Sequence, residues 1–389
     1  MKLGLQAVKI AKDLQCWFAE KEKKQMIKVL HILSALDGGG VESMLMSYYR
    51  YMDKEKIQFD FMVHGSKIGI MEKMFSDMGS VIYHVVPKKE SYFKNLRQAT
   101  KIIKEGKYDV VHCHQDYHGA EVISIAKRLG VKNIVSHSHI AYVPENMLSK
   151  MRRYISSKIV IKKATHYAAC TNDAARWLFG KRADNGEVTV VRNAIQPDKF
   201  DFDAKVRESK RKQLNIEDKI VIGNVGRFAI QKNHTFLIDI FSEIKKINTD
   251  TVLLLVGDGP LQVEIEKKVL EYQLGDSVIF LGARDDVPEL MQAMDVFLFP
   301  SKFEGLGIVL IEAQAAGLGC VISDKIPVDV LLTEKMRVLS LEKSAKIWAE
   351  TTMEVARMPR ESQLDSIIQG RYDIRREYKA LEDFYIQMH

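Results

Sequence analysis

Two carboxylates, Glu304 and Glu312, stand eight positions apart in the segment FEGLGIVLIEAQAAG (303–317), across a glycine-bearing turn that runs straight into an apolar helix. A helix that starts near Gly307 leaves its first backbone N–H groups without internal partners. Around Gly305, Leu306, Gly307 and Ile308 those groups face outward, where phosphate oxygens dock. Glu304 then sits at the helix mouth beside the bound group. Glu312, more than one turn further in, reaches a neutral hydroxyl such as that of a ribose. Nucleotide sugars carry all three features.

Other residues supply matching chemistry. In GRFAIQKN (226–233), Arg227 and Lys232 lie five residues apart across a strand-end loop and offer a planar fork and a compact ammonium to one phosphate-bearing ligand. Taken alone they would be ordinary surface cations. In DGGGVES (37–43), Gly39 and Gly40 follow a strand and open a helix, so the backbone can approach a diphosphate without a Cβ in the way. Histidines gather at two strand ends, as His112, His114 and His118 in HCHQDYH and as His137 and His139 in SHSHIAY. Strand alternation turns Cys113 away from His112 and His114, so the first set is read as a strand terminus lining the cleft without chemistry and not as a metal site. The DFD at 201–203 imitates a metal-binding D-x-D, but it stands in a charged connecting region and is set aside.

The elements that must position these residues show as short β-branched runs at 28–33, 59–63, 81–85, 109–113, 133–136, 166–170 and 187–191, separated by segments of helical period. A second series follows at 220–225, 252–256, 278–281, 296–299 and 320–322. This is the pattern of an α/β protein with two doubly wound parallel sheets, in which ligands gather at the carboxyl ends of the strands. A chain of 389 residues, 46% apolar and 28% charged, holds two such domains. Cys16, Cys113, Cys170 and Cys320 are widely spaced and imply free thiols in a reducing cytosol. The longest apolar runs fall far short of the roughly 20 residues of a membrane span.

Charge is uneven. Residues 1–200 carry 33 Lys and Arg against 20 Asp and Glu, a net +13, whereas residues 201–389 carry 25 against 31, a net −6. No nucleic-acid-binding motif accompanies the basic half, so an anionic lipid surface or a diphosphate-bearing acceptor fits it better. In the first 25 residues Leu3, Ala7, Ile10, Leu14 and Trp17 share one helical face, with lysines off that stripe. Three readings stand for this segment: an in-plane membrane helix, an extension ahead of a start at Met26, or an extra packed helix. The basic stretch 148–163, LSKMRRYISSKIVIKK, is a second membrane-facing candidate.

Glu304 and Glu312 together resemble the E-x7-E signature of the retaining glycosyltransferases of family 4, and GRFAIQKN resembles that family's basic loop. LLLVGDGPL (253–261) and the segment 278–301 are similar to the strands and turns that hold the base, and KVLHILSALDGGGVESMLMSYYR (28–50) to the glycine-rich opening of the first domain. The likeness runs from about residue 26 to the C-terminus and looks closest to bacterial enzymes of exopolysaccharide and capsule assembly of the EpsF type.

The resemblance implies a GT-B fold, two Rossmann-like domains facing each other across a cleft. It divides the chain into an N-terminal extension (1–25), an acceptor-binding domain (26–200), a nucleotide-sugar-binding domain (201–371) and a C-terminal helix (372–389) crossing back to the first. It implies a retaining, metal-independent hexosyltransferase without cofactor, taking a nucleotide sugar, expected to be UDP-linked, and a lipid-linked saccharide acceptor. Such an enzyme works in the cytoplasm, peripherally at the inner face of the membrane, and binds no nucleic acid.

Arg227 and Lys232 would offset charge on the leaving diphosphate, Glu304 orient the sugar and Glu312 the ribose, with Asp258 and Arg284 in turns near the base. A histidine after the fifth strand would meet the donor sugar. His139 is chosen, and His137 on the same strand face competes. Acceptor attack on the leaving-group face, with a phosphate oxygen taking its proton, is the family's route to retention.

Two departures stand out, Gly319 where proline is common and Asp329 in place of a glycine-rich turn bearing a glutamate. Three other readings use the same residues: a sugar-nucleotide epimerase of the same fold, a dinucleotide-dependent oxidoreductase, and a non-catalytic partner subunit.

Overall fold

The computed structural model describes residues 26–139 and 146–389; the amphipathic stretch 1–25 lies outside them. The first sheet has seven parallel strands, β1 (Ile27–Ile32), β2 (Ile57–His64), β3 (Ile82–Val85), β4 (Val110–Cys113), β5 (Asn133–Ser138), β6 (His166–Ala169) and β7 (Val188–Val190), in the spatial order 3-2-1-4-5-6-7. The second has six, β8 (Ile220–Val225), β9 (Thr251–Val256), β10 (Val278–Gly282), β11 (Val296–Phe299), β12 (Gly319–Ser323) and β13 (Met336–Leu339), in the order 10-9-8-11-12-13. Central strands such as β9 are buried along their whole length, because helices cover both faces of the sheet. All the strands read from the sequence are present. The sequence reading missed β13, an edge strand that is only partly buried and has Arg337 in its middle.

In each sheet the strand order reverses once, between β1 and β4 and between β8 and β11. Outside the carboxyl ends of those pairs the flanking loops part, which makes the crevice where doubly wound folds take their ligands. Five of the helices carry or border residues at these crevices: α1 (Gly40–Tyr51), α2 (Met147–Lys163), α3 (His234–Ile247), α4 (Ile308–Ala315) and α5 (Ile374–Met388).

The chain passes between the two lobes twice, and the passages are bonded to each other. Ile195 donates its N–H to the Tyr372 carbonyl and accepts from the Ile374 N–H, both at 2.8 Å. Beyond this junction α5 packs on α1, and its Leu381 and Tyr385 enter the first lobe's core beside Val29 and Phe59. Across the cleft, Asn172 just beyond β6 donates to the Asp329 carboxylate beyond β12 at 3.4 Å, so the strand ends of the two sheets face each other. Cys113, Cys170 and Cys320 are free, buried thiols.

Candidate active site

The second lobe's switch point is framed by the loop after β8 (226–233) and the loop after β11 (300–307), and hydrogen bonds join the two. Lys302 donates its N–H to the Gln231 carbonyl at 2.8 Å, and Asn233 Nδ2 donates to the Pro300 carbonyl at 3.1 Å. Between them lies Glu304, whose Oε1 accepts from Lys232 Nζ at 2.8 Å and Oε2 from Gln231 Nε2 at 3.0 Å. This ion pair is sheltered, with only 16% of the lysine side chain and 6% of the glutamate exposed. Lys232 also stands 4.6 Å from the centre of the Phe299 ring. An ammonium has three protons, so Lys232 can hold Glu304 and still donate to an anion. Arg227 is exposed, with no ion pair among the described residues, so its fork is available.

Beyond Glu304 the chain is fixed by Leu306, 3% exposed, whose burial contributes roughly 1.5–3 kcal/mol. Gly307 takes the left-handed conformation, with φ at 80°, and is the N-cap of α4. The first N–H groups of α4 therefore open beside Glu304, one loop away from Arg227. Glu312 lies inside α4 and has no hydrogen-bond partner among the described residues; burial raises its pKa to about 7. A carboxyl group that titrates near neutral pH and whose lone pairs accept no hydrogen bond from the described residues can accept from a hydroxyl donor.

The neighbouring turns stack on this pair of loops. Phe228 donates its N–H to the Asp258 carbonyl at 2.7 Å, and a Cβ on Gly259 would stand 2.5 Å from the Phe228 oxygen, so the close approach needs glycine. Asp258 keeps its carboxylate toward solvent. Arg284 is also in a turn, after β10, but its fork is bound by both oxygens of Asp286 at 2.7 and 2.8 Å, which leaves it a guanidinium face to offer. Asp203 of the DFD caps the following helix, accepting from the N–H groups of Lys205 and Val206. Asp329 accepts from Asn172 through its side chain and from the Tyr372 hydroxyl through its carbonyl, which ties it to the interlobe contact.

In the first lobe, Gly39 is the N-cap of α1 and Gly40 its first residue. The space above Gly39 belongs to Glu42, whose Oε2 would lie 2.6 Å from an added Cβ. Burial, then Asp37, raises the Glu42 pKa. A diphosphate reaching these two glycines must first displace that carboxyl.

The histidines form one network, and two of its members, His31 and Tyr385, were absent from the sequence reading. Tyr385 from α5 bonds His112 Nδ1 at 2.6 Å, and His112 Nε2 pairs with His137 Nδ1 at 3.1 Å. In parallel, His31 Nδ1 pairs with His114 Nε2 at 2.9 Å, and His114 Nδ1 with His139 Nε2 at 2.8 Å. His112 and His114 thus hold the two histidines of SHSH, a structural part larger than the passive strand terminus expected of them.

Burial drives all five imidazoles to lower pKa, His31 and His139 to about 3 and the others well below their usual value, so they are neutral at pH 7. A neutral imidazole has one N–H and one lone pair. The phenol of Tyr385 is kept protonated by burial, which pushes its pKa well up; if it donates to His112 Nδ1, His112 donates from Nε2 to His137 Nδ1 and His137 carries its own proton on Nε2. That nitrogen, His139 Nδ1 and His31 Nε2 are buried and without partners among the described residues. Two triplets, His31–His112–His114 and His114–His137–His139, bring ligand nitrogens within 4.8 Å. Their close pairs have hydrogen-bond spacing, whereas two imidazole nitrogens on one tetrahedral zinc stand roughly 3.3 Å apart.

Two facing doubly wound sheets, with a cation-flanked helix mouth in the second, make up the GT-B architecture. Residues 38–199 match the family described as Glycosyltransferase Family 4, and residues 206–369 that described as Glycosyl transferases group 1. The chain belongs to this glycosyltransferase family. Over 371 residues it is 34% identical to EpsF of Bacillus subtilis (strain 168), itself named as a glycosyltransferase, covering 92% of this chain and 96% of that one. It is 27% identical over 317 residues to the Escherichia coli UDP-Gal:alpha-D-GlcNAc-diphosphoundecaprenol alpha-1,3-galactosyltransferase, covering 78% of this chain and 81% of that one. Among solved structures it is similar in fold to Anabaena Alr3699/HepE in complex with UDP-glucose, with a TM-score of 0.75 at 18% identity, covering 93% of this chain and 100% of that one.

Proposed function

We propose that this glycosyltransferase moves a hexose from a UDP-sugar to a lipid-linked saccharide during assembly of an exopolysaccharide or capsule, with retention at the anomeric carbon and without a metal. The observation that carries this reading is the joined pair of loops at the second switch point, where Lys232 and Gln231 hold Glu304 at the mouth of α4 and Arg227 stands exposed in the same loop as Lys232. Charge that develops on a leaving diphosphate is offset there by an exposed guanidinium, a sheltered ammonium and fixed N–H dipoles, the task that a divalent cation performs in other transferases. Glu304 orients the sugar next to the diphosphate, and Glu312 accepts from the ribose. His137 or His139 meets the donor sugar from the first lobe, as a neutral imidazole and not as an imidazolium.

A UDP donor is supported by the UDP-glucose bound to the structural neighbour, and a lipid diphosphate acceptor by the name of the Escherichia coli relative. No helix among the described residues is long and apolar enough to cross a membrane. Contact with the cytoplasmic face of a membrane is assigned to α2, where Met147, Leu148, Met151, Tyr154 and Ile155 are exposed among lysines and arginines.

The test is incubation with a panel of nucleotide sugars and acceptor extracts in EDTA, following UDP or GDP release and reading the product's anomeric configuration by NMR. Release with a UDP-sugar and an α-linked product is expected. A requirement for manganese, an inverted product, or a free altered nucleotide sugar formed without acceptor would each overturn the proposal.

A further inference from the structure

The first lobe has a switch point of its own, and a cavity of about 470 Å³ opens there. Ser34 from beyond β1 and His114, Asp116 and His118 from beyond β4 form its walls, and Lys88, Lys89 and Arg152 supply three cations against the single carboxylate. Lys88 is partly engaged, donating to Glu121 at 3.0 Å and to the His118 carbonyl at 3.1 Å. Lys89 and Arg152 have no ion pair among the described residues. The imidazole of His118 is held below its usual pKa by burial and then by the charges of Arg152 and Lys88, and that of His64 by burial and then Lys88. The cations add to burial in disfavouring the protonated imidazoles, and an anion in the cavity would relieve their share.

The helix that lends Arg152 indicates what the anion is attached to. Leu148 and Ile155, one turn to either side of Arg152 on α2, are 76% and 51% exposed. A cation-lined cavity beside an open apolar face suits an amphiphile with an anionic head and a hydrocarbon tail. On its inner side the cavity reaches the histidine network, since His114 lines it and bonds His139, and Asp116 accepts the His139 backbone N–H at 3.0 Å.

We infer that this cavity holds the diphosphate of the acceptor, with Lys89 and Arg152 as its phosphate ligands and the apolar face of α2 against the first part of the lipid. A diphosphate seated here sets the acceptor saccharide beside His137 and His139, on the side from which it meets the donor. The inference rests on the acceptor class proposed above.

It is tested by calorimetric titration of farnesyl diphosphate and of farnesol into the full chain saturated with UDP, for the wild type and for Lys89→Ala/Arg152→Ala. UDP alone and vesicles with and without anionic lipid are titrated in parallel. Farnesyl diphosphate should bind the wild type, and the double variant should bind it at least tenfold more weakly with UDP affinity and Tm unchanged; farnesol should not bind. Equal binding of farnesyl diphosphate by both proteins overturns the inference. So does a variant that loses only its binding to anionic vesicles, because the cations then serve a membrane surface. Failure of the wild type to bind UDP counts against the donor reading instead, and farnesyl diphosphate titrated without UDP then decides the cavity on its own.

Discussion

The two lobes share a topology and furnish the same crevice in opposite ways. At the second lobe's switch point a buried ion pair, Lys232 with Glu304, links two loops and leaves cationic capacity for a ligand. At the first lobe's switch point the strand ends carry five neutral imidazoles in hydrogen-bonded files, backed by Tyr385 from the last helix. The contrast teaches that one fold can surround a leaving group with charge in one lobe and, along the inner strand ends of the other, present uncharged, directional hydrogen-bonding groups. That division suits a reaction in which charge leaves with the diphosphate while a sugar hydroxyl attacks.

The largest effect that would break the contrast comes from Lys232. Replacing it with methionine strands a buried carboxylate, and a loss of about 3–5 kcal/mol in chemical unfolding is expected, together with a fall in turnover of at least about 100-fold. Adding Glu304→Gln should recover much of the stability and none of the activity. Full recovery of activity would mean that the pair is only structural.

The first lobe should respond instead to acid. Its five histidines have folded pKa values depressed below the unfolded 6.5, so the native state disfavours their protonation. Stability is complete above pH 6.5 and is lost as pH falls from there toward 3, at up to about 1.4 kcal/mol per pH unit for each histidine. His31→Phe, placed between Phe59 and Phe61, should lessen the loss between pH 7.5 and 5.0 by about 2 kcal/mol in urea titrations, an average of roughly 0.6 proton. An unchanged loss would show that His31 is not held neutral.

Tyr385→Phe sharpens the comparison further, since it leaves His112 Nδ1 buried without its donor, at a cost of about 1–3 kcal/mol. If Tyr385 sets the His137 tautomer, the variant's kcat falls while its KM for the donor stays, and the effect is much reduced when His137 is already asparagine. Equal effects in both backgrounds would assign Tyr385 a packing role alone.

The smallest effect is at Glu312. With its pKa raised to about 7 it is mostly protonated at pH 6 and mostly ionised at pH 8, and only the ionised carboxylate accepts from both ribose hydroxyls. Uridine, which has no phosphate to titrate, should bind about tenfold more tightly at pH 8 than at pH 6, and Glu312→Gln should abolish the difference. A pH-independent wild type would place the ribose elsewhere.

The sequence made the sheets legible because buried parallel strands are continuous apolar runs, and β13 escaped because it lies half-exposed at an edge. Arg227, Lys232, Glu304 and the glycine at the mouth of α4 could be singled out because their motifs resemble those of the family, and the structure joins Lys232 to Glu304. Their supports could not. Gln231 meets Glu304 from 73 positions away, His31 meets His114 from 83, and Tyr385 meets His112 from 273. Glutamine, histidine and tyrosine in those places look like any other core or loop residue until folding joins them. The obstruction of Gly39 by Glu42 was hidden for a different reason, because it depends on a rotamer and not on a motif.

The central claim is that the second lobe's basic loop grips a pyrophosphate without a metal. Calorimetric titration of UDP into the wild type and Arg227→Ala, each in EDTA and again with manganese, tests it most directly. The expected result is wild-type binding that is indifferent to the metal and at least tenfold weaker in Arg227→Ala, with Tm unchanged in that variant. Binding that appears only with manganese, or that survives the loss of Arg227 undiminished, would contradict it.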